Sequence, residues 1–217
     1  MINNLFSCDK SSRMTGDKRR EQILRTAIEL FSQNGFSGTT TKKIAKEAGV
    51  SEAMVFRHFA SKDELYKAIL HSKVCEDGED QFPWEENSEL IEAMERNDDF
   101  QVFYLFAKRS LEKQQADIEF IRLLFYSGLE ENELTEQFVY EFMSKLYAFF
   151  GGYIDKRKKM GAIREVNPRI VIRALMGMLI HHSLNNILWD KKRQLLDISN
   201  HEAAENFAKL LLNGITK

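Results

Sequence analysis

The run from Gly35 to Lys62, G-F-S-G-T-T-T-K-K-I-A-K-E-A-G-V-S-E-A-M-V-F-R-H-F-A-S-K, leaves few local folds open. Its apolar residues fall into two short groups, Ile44-Ala45-Ala48 and Val50-Val55-Phe59, with Gly49 between them. Thr39, Thr40 and Thr41 precede the first group and Ser51 precedes the second, where a hydroxyl can accept from the free N–H groups of a helix start. Small alanines where two helices cross, a glycine at a sharp turn and apolar side chains pinning the second helix meet the needs of a helix-turn-helix. Upstream, Ile23, Leu24, Ala27, Ile28, Leu30 and Phe31 have the spacing of a one-sided helix beginning at Asp17, and Asn34-Gly35 stops it. Downstream, Ser61-Lys62-Asp63-Glu64 is a capping box opening a helix with Leu65, Ile69 and Val74 on its apolar side.

The remainder reads as helix throughout. Predicted segments are Glu85–Arg96, Asp99–Gln115, Asp117–Leu129, Glu133–Met160, Pro168–Trp189 and His201–Leu212, with an irregular stretch from Gly78 to Trp84. Two prolines and 11 glycines in 217 residues disfavour a loop-rich β sandwich or barrel, so the expected fold class is all-α. The expected organisation is a polar tail over 1–16, a three-helix DNA-binding domain over 17–62 and a helical bundle over 63–217. Gly151-Gly152 inside a long helical pattern suggests a kink or a close helix approach, and less readily a hinge.

Charge is divided unevenly. Up to Lys62 there are 11 Lys and Arg against 6 Asp and Glu, whereas the rest carries 20 against 27, although the net charge is only −2. A basic segment on an acidic body suits a protein of which one part meets phosphate. Cys8 and Cys75 form neither a disulfide framework nor a metal cluster. The first 16 residues lack the apolar core of a signal peptide, and no stretch approaches the roughly 20 apolar residues of a membrane span. The expected location is therefore cytoplasmic. A glycine-rich phosphate loop, G-x-S-x-G and H-E-x-x-H are all missing, so neither an enzyme nor a cofactor or metal is expected.

A helical wheel of the segment after Gly49 sets Ala53 and Arg57 nearly opposite Val55, with Met54 and Phe56 on the flanks and His58 partly inward. Ala53, Met54 and Arg57 are thus the candidates for base edges: arginine pairs bidentately with guanine, and alanine or methionine can touch a thymine methyl. His58 suits a partly buried structural histidine as well as a phosphate ligand.

These residues resemble the tetracycline-repressor (TetR) family of bacterial regulators over roughly Lys18–Leu65. The resemblance is carried by Phe31, Gly35-Phe36, Thr39-Thr40, Ile44-Ala45, Ala48-Gly49-Val50-Ser51, Phe56, His58-Phe59 and Lys62 at fixed spacing. It implies that Thr41 and Lys42 approach DNA, that Ser51, Glu52, Ala53, Met54, Arg57 and His58 lie on or beside the recognition helix, and that Lys62 contacts phosphate at a helix N-terminus. Two positions depart from the pattern: Ala53 replaces a frequent glycine, and Phe56 replaces the usual tyrosine, leaving a ring contact without its hydroxyl.

In the body, 14 of the 22 Phe and Tyr residues lie between Phe100 and Tyr153. Phe103, Tyr104, Phe125, Tyr126, Phe142, Tyr147 and Phe150 are candidates to line an apolar effector cavity, packing alone being the other reading. Ile170–Trp189 has apolar residues on more than one face and so should be buried nearly all round, with Ala174 and Gly177 allowing close approach. With Phe207, Leu210, Leu211 and Leu212 it could form a four-helix interface with a symmetry mate; His181-His182 would then reach the partner or the ligand. The expectation is a homodimeric repressor released from a palindromic duplex operator by a small apolar or amphipathic effector that shifts the Lys62–Val74 helix. A redox-responsive regulator acting through Cys75 and a non-specific architectural DNA-binding protein are the alternatives.

Overall fold

The computed structural model describes residues 18–73, 84 and 87–216. The 1–16 tail, Val74, Cys75 and the stretch from Gly78 to Pro83 lie outside the described residues. The described residues form ten α-helices: α1 (Lys18–Asn34), α2 (Thr41–Glu47), α3 (Glu52–His58), α4 (Lys62–Ser72), α5 (Ser88–Glu95), α6 (Asp99–Ala116), α7 (Ile118–Leu129), α8 (Glu133–Lys159), α9 (Pro168–Leu184) and α10 (Asn200–Ile215). A π-helical turn, Asn185–Trp189, follows α9. The only extended pairing among the described residues is an isolated bridge between Ile163 and Thr216. The fold is all-α, an N-terminal helix-turn-helix followed by a helical bundle.

Local chemistry accounts for most helix starts. Thr40, Ser51, Ser61, Asp98, Asn167 and Ser199 each accept a backbone N–H from the first turn of α2, α3, α4, α6, α9 and α10. Pro168 opens α9, where its missing N–H leaves no bond unmade.

The chain forms two compact units. One holds α1–α4 together with Glu119–Glu141, and the other holds α5, α6 and the residues from Phe142 onward. The tip of the α7–α8 hairpin, with the first residues of α8, therefore joins the helix-turn-helix unit although Trp84–Ile118 lie between them in the chain.

The core of the first unit gathers Ile23, Ala27 and Phe31 of α1 with Ile44, Val55, Phe59, Leu65, Tyr66 and Ile69, all buried. Phe31, Phe36 and Tyr66 form a three-ring cluster with centroids 5.1–5.7 Å apart. The Tyr66 hydroxyl, buried, lies 2.8 Å from both Ser127 Oγ and Thr135 Oγ1, so it ties α4 to both arms of the hairpin. Burial outweighs those two bonds and raises the Tyr66 pKa.

In the second unit α6 packs along α10. Ala203, Ala204 and Ala208 let the helices approach closely, and Val102, Phe103, Phe106 and Leu111 are buried on the α6 side. Asp99 takes the Arg157 guanidinium at 2.7 and 2.9 Å and also the Tyr153 hydroxyl, which closes a polar cluster at the start of α6. Burial and the adjacent Asp99 carboxylate raise the Tyr153 pKa far above the ordinary tyrosine value.

Two expectations are corrected. Helix α8 runs unbroken through Gly151 and Gly152. A Cβ at Gly152 would meet nothing within 4 Å, and one at Gly151 would make only ordinary contact with Pro168 at 3.9 Å, so neither site requires glycine. The Ile170–Trp189 segment is not one α-helix. It changes to π geometry at Asn185, and Ile170, Ala174, Gly177, His181 and Leu188 stay exposed on one helical stripe of the single chain.

Candidate nucleic-acid interface

The turn between α2 and α3 is set by its backbone. Gly49 has φ +63°, a left-handed value at which a side chain would be strained, and the Val50 N–H donates back to the Ala45 carbonyl at 2.9 Å. The Gln22 side chain of α1 donates to the Ala48 carbonyl at 2.9 Å, which holds the turn from behind. Thr41 Oγ1 donates to Glu52 Oε1 at 2.7 Å and links the start of α2 to the start of α3. Ser51 accepts from the Met54 N–H at 3.2 Å and fixes the first turn of α3.

These constraints orient α3. Val55 is only 1% exposed and Phe59 is buried behind it, with the Arg20 guanidinium 4.7 Å from the centre of the Phe59 ring. On the other side Ala53, Phe56 and Arg57 are exposed, Phe56 by 47%, while Glu52, Met54 and His58 are partly so. Lys42 and Lys46 of α2 are exposed nearby in the chain. Seven helical residues span about 10 Å, which suits a major groove about 12 Å wide.

Lys62 has partners within the chain. Its ammonium donates to the Phe36 carbonyl at 3.0 Å and the Thr39 carbonyl at 3.2 Å, and it lies 4.0 Å from the centre of the Phe36 ring. Two of its three N–H groups thus hold the loop between α1 and α2.

A carboxylate holds the same loop as well. Glu130, at the tip of the α7–α8 hairpin, accepts the Phe36 N–H at 2.7 Å and the Ser37 N–H at 3.2 Å. The loop turns at Gly35, φ +73°, where a Cβ would come within 2.5 Å of Glu130 Oε1 and 2.8 Å of the Tyr126 ring. Sequence reading missed Glu130 because nothing local marks a carboxylate 94 residues away as a loop anchor.

Residues 23–69 match the family model of bacterial regulatory proteins, tetR family. Over these residues the chain matches the TetR family. The chain is 40% identical over 65 residues to the HTH-type transcriptional activator FasR of Mycolicibacterium smegmatis, a stretch covering 30% of each chain. It is also 44% identical over 61 residues to the nucleoid occlusion factor SlmA of Vibrio cholerae, covering 26% of this chain and 31% of that one. The chain thus spans under a third of the length of the curated relatives it matches. The whole fold is similar to the ketosteroid transcriptional regulator KstR2 of Mycobacterium tuberculosis, with TM-score 0.64, 17% identity and 93% and 96% of the two chains covered. It is similar too to the fatty acid degradation regulator FadR of Bacillus halodurans, with TM-score 0.62, 15% identity and 90% and 95% covered.

The seven aromatic residues proposed for an effector cavity are divided between the units. Phe125 and Tyr126 sit on the outer side of α7 in the first unit, 40% and 44% exposed. In the second unit Phe142 packs edge-on against Trp84 at 5.2 Å, and Phe150 against Phe106 at 4.6 Å and Phe149 at 5.0 Å. Phe103 is fully buried. The Tyr104 hydroxyl lies 2.6 Å from His201 Nδ1, and the Tyr147 ring lies 5.9 Å from the Arg169 guanidinium. Trp84, Phe106 and Phe149 are the further members of this aromatic chain. Nothing in their spacing distinguishes them from other core residues.

Proposed function

We propose that this chain regulates transcription by laying α3 in the major groove of a palindromic operator as a two-fold homodimer, with repression as the sign. The observation that carries the reading is the two-sidedness of α3: Val55 and Phe59 are buried and Arg57, Ala53 and Phe56 face outward. Arg57 reads a guanine, Ala53 and Met54 meet thymine methyls or sugar, and Lys42, Thr41, Ser51, Glu52, Phe56 and His58 flank the backbone. Lys62 shapes the loop through Phe36 and Thr39, with one N–H left toward phosphate.

The dimer supplies the second reading helix. The exposed stripe Ile170, Ala174, Gly177, His181 and Leu188 on α9, with Leu210 on α10 at 65% exposure, is the self-complementary face such a dimer needs. The effector is a small apolar or amphipathic molecule taken up by the aromatic second unit. The solved relatives named for ketosteroid and fatty acid regulation support that chemical class. Release requires that it bind the DNA-incompetent conformer more tightly than the reading one.

Footprinting on the DNA upstream of the chain's own gene tests the reading. Arg57→Ala is expected to lose roughly 5- to 150-fold in specific affinity, the worth of one bidentate base contact at about 1–3 kcal/mol, while random duplex binds as before. An unchanged Arg57→Ala footprint would overturn the assignment of the reading face. Deleting the gene is expected to raise transcription from that site, and a fall would reverse the sign.

A further inference from the structure

The α7–α8 hairpin leaves apolar side chains wholly or partly outside that DNA reading does not use. Leu129 is 86% exposed, more than any other large apolar residue among the described residues, and Phe125 and Tyr126 stand beside it on one sector of α7. Positions 125, 126 and 129 fall within about 100° around a helix of 3.6 residues per turn. Val139 and Tyr140, on the other arm, are exposed as well. Such a concentration of exposed aromatic and aliphatic side chains marks an interaction surface more often than open solvent.

The electrostatics around it are one-sided. Residues 119–141 carry six glutamates and one arginine. The turn that follows Leu129 in the chain, Glu130 to Leu134, lines a cleft of about 460 Å³ together with Asp63 and Lys67. Glu130 is engaged with the α1–α2 loop, but Glu131, Glu133 and Asp63 are exposed. An apolar stripe followed in the chain by an acidic turn, with Lys67 the one cation lining the cleft, disfavours nucleic acid and anionic lipid. It equally repels a symmetry-related copy of itself, because an isologous contact would set these carboxylates against their own images.

We propose that the tip of this hairpin docks a cationic amphipathic helix of another protein. The partner's apolar side chains would cover Phe125, Tyr126 and Leu129, and a lysine or arginine would enter the cleft toward Glu131, Glu133 and Asp63. None of these residues is on the outward face of α3, so the surface stands independently of the DNA-reading assignment.

The test uses the full chain and a labelled 18-residue helical peptide of leucine and lysine, with a leucine–glutamate peptide of the same pattern as control. Fluorescence anisotropy at low ionic strength is expected to show binding of the lysine peptide alone, weakening as salt rises. Leu129→Ser and the double variant Glu131→Lys/Glu133→Lys are each expected to weaken it at least tenfold. Glu112→Lys, an exposed glutamate on α6, should leave it within twofold. No binding, binding indifferent to Leu129→Ser, or an equal loss in Glu112→Lys would overturn the proposal. So would a change of oligomeric state in Leu129→Ser on sedimentation, which would assign the face to a second copy. Leu129 and both glutamates are exposed, so the variants keep the fold, which circular dichroism checks.

Discussion

Lys62 shows how one side chain can belong to a sequence motif and yet work inside the structure. Its ammonium bonds two loop carbonyls and covers the Phe36 ring. Lys62→Met keeps the stem and removes those donors, so it is expected to lower stability by about 1–3 kcal/mol, the cost of leaving partly buried carbonyls unmet. Thermal unfolding checks this: a purely phosphate-facing lysine would leave the melting temperature unmoved and alter only the salt dependence of DNA binding. The motif had marked Lys62 through its place beside a capping box, but it held no trace of the Phe36 and Thr39 carbonyls. Which acceptors a lysine finds depends on where the loop folds back, and that depends on Gly35 and on Glu130 far along the chain. The Arg57 side chain is the opposite case: its outward placement follows from helical period alone once Val55 is pinned.

Among the helices, α8 and α9 give separate tests. Gly152 sits on the exposed side of α8 with open space around its missing Cβ, so Gly152→Ala is expected to stabilise by about 0.5–1 kcal/mol through lost unfolded-state entropy. A loss of stability in chemical denaturation would mean that the glycine pair serves motion rather than packing. On α9, His182 is buried edge-on against Phe207 at 5.6 Å, with Asn186 3.1 Å from its Nε2. Burial first, and then the nearby Arg193 and His181 charges, hold its pKa below the ordinary histidine value of 6.5. The folded chain therefore resists the proton that the unfolded chain takes up. The stability from neutral His182 is complete above pH 6.5 and declines as pH falls from 6.5 through the lowered folded value. Denaturant titrations from pH 7.5 to 5 are expected to show this decline in the parent chain and a shallower one in His182→Asn. Just beyond, the Asp190 carboxylate is pushed up by burial but held below its ordinary value by the backbone N–H groups of Leu195, Gln194 and Leu196. That turn holds Leu195 and Leu196 in an exposed position.

For the molecule as a whole, the exposed stripe on α9 and α10 sets the prediction. Ile170→Glu and Leu210→Glu, at 60% and 65% exposed positions, cost little within one chain but place charges on the proposed two-fold face. Together they are expected to convert a dimer to monomers in sedimentation equilibrium, with unchanged helix content. Operator affinity should fall far more than either half-site contact accounts for, because the second α3 is no longer tethered. A double variant that stays dimeric would move the interface elsewhere.

The helix-turn-helix was legible because every requirement is local: caps at Thr40 and Ser51, the turn at Gly49, and a buried face with period 3.6. Helix positions in the body were legible for the same reason, to within a few residues at each end. Where an aromatic side chain points was not legible, since Phe125, Tyr126 and Phe150 look alike in a string and only packing sends the first two outward and the third into the core. Sequence by itself determined the helices, many of their caps and the outward face of α3, since hydrogen bonds and side-chain period act over a few residues. Tertiary structure alone decided that Glu119–Glu141 joins the helix-turn-helix unit, that Glu130 and Lys62 hold its loop, and which aromatic rings stay outside. Those outcomes depend on contacts between residues tens of positions apart, whose partners no local pattern records.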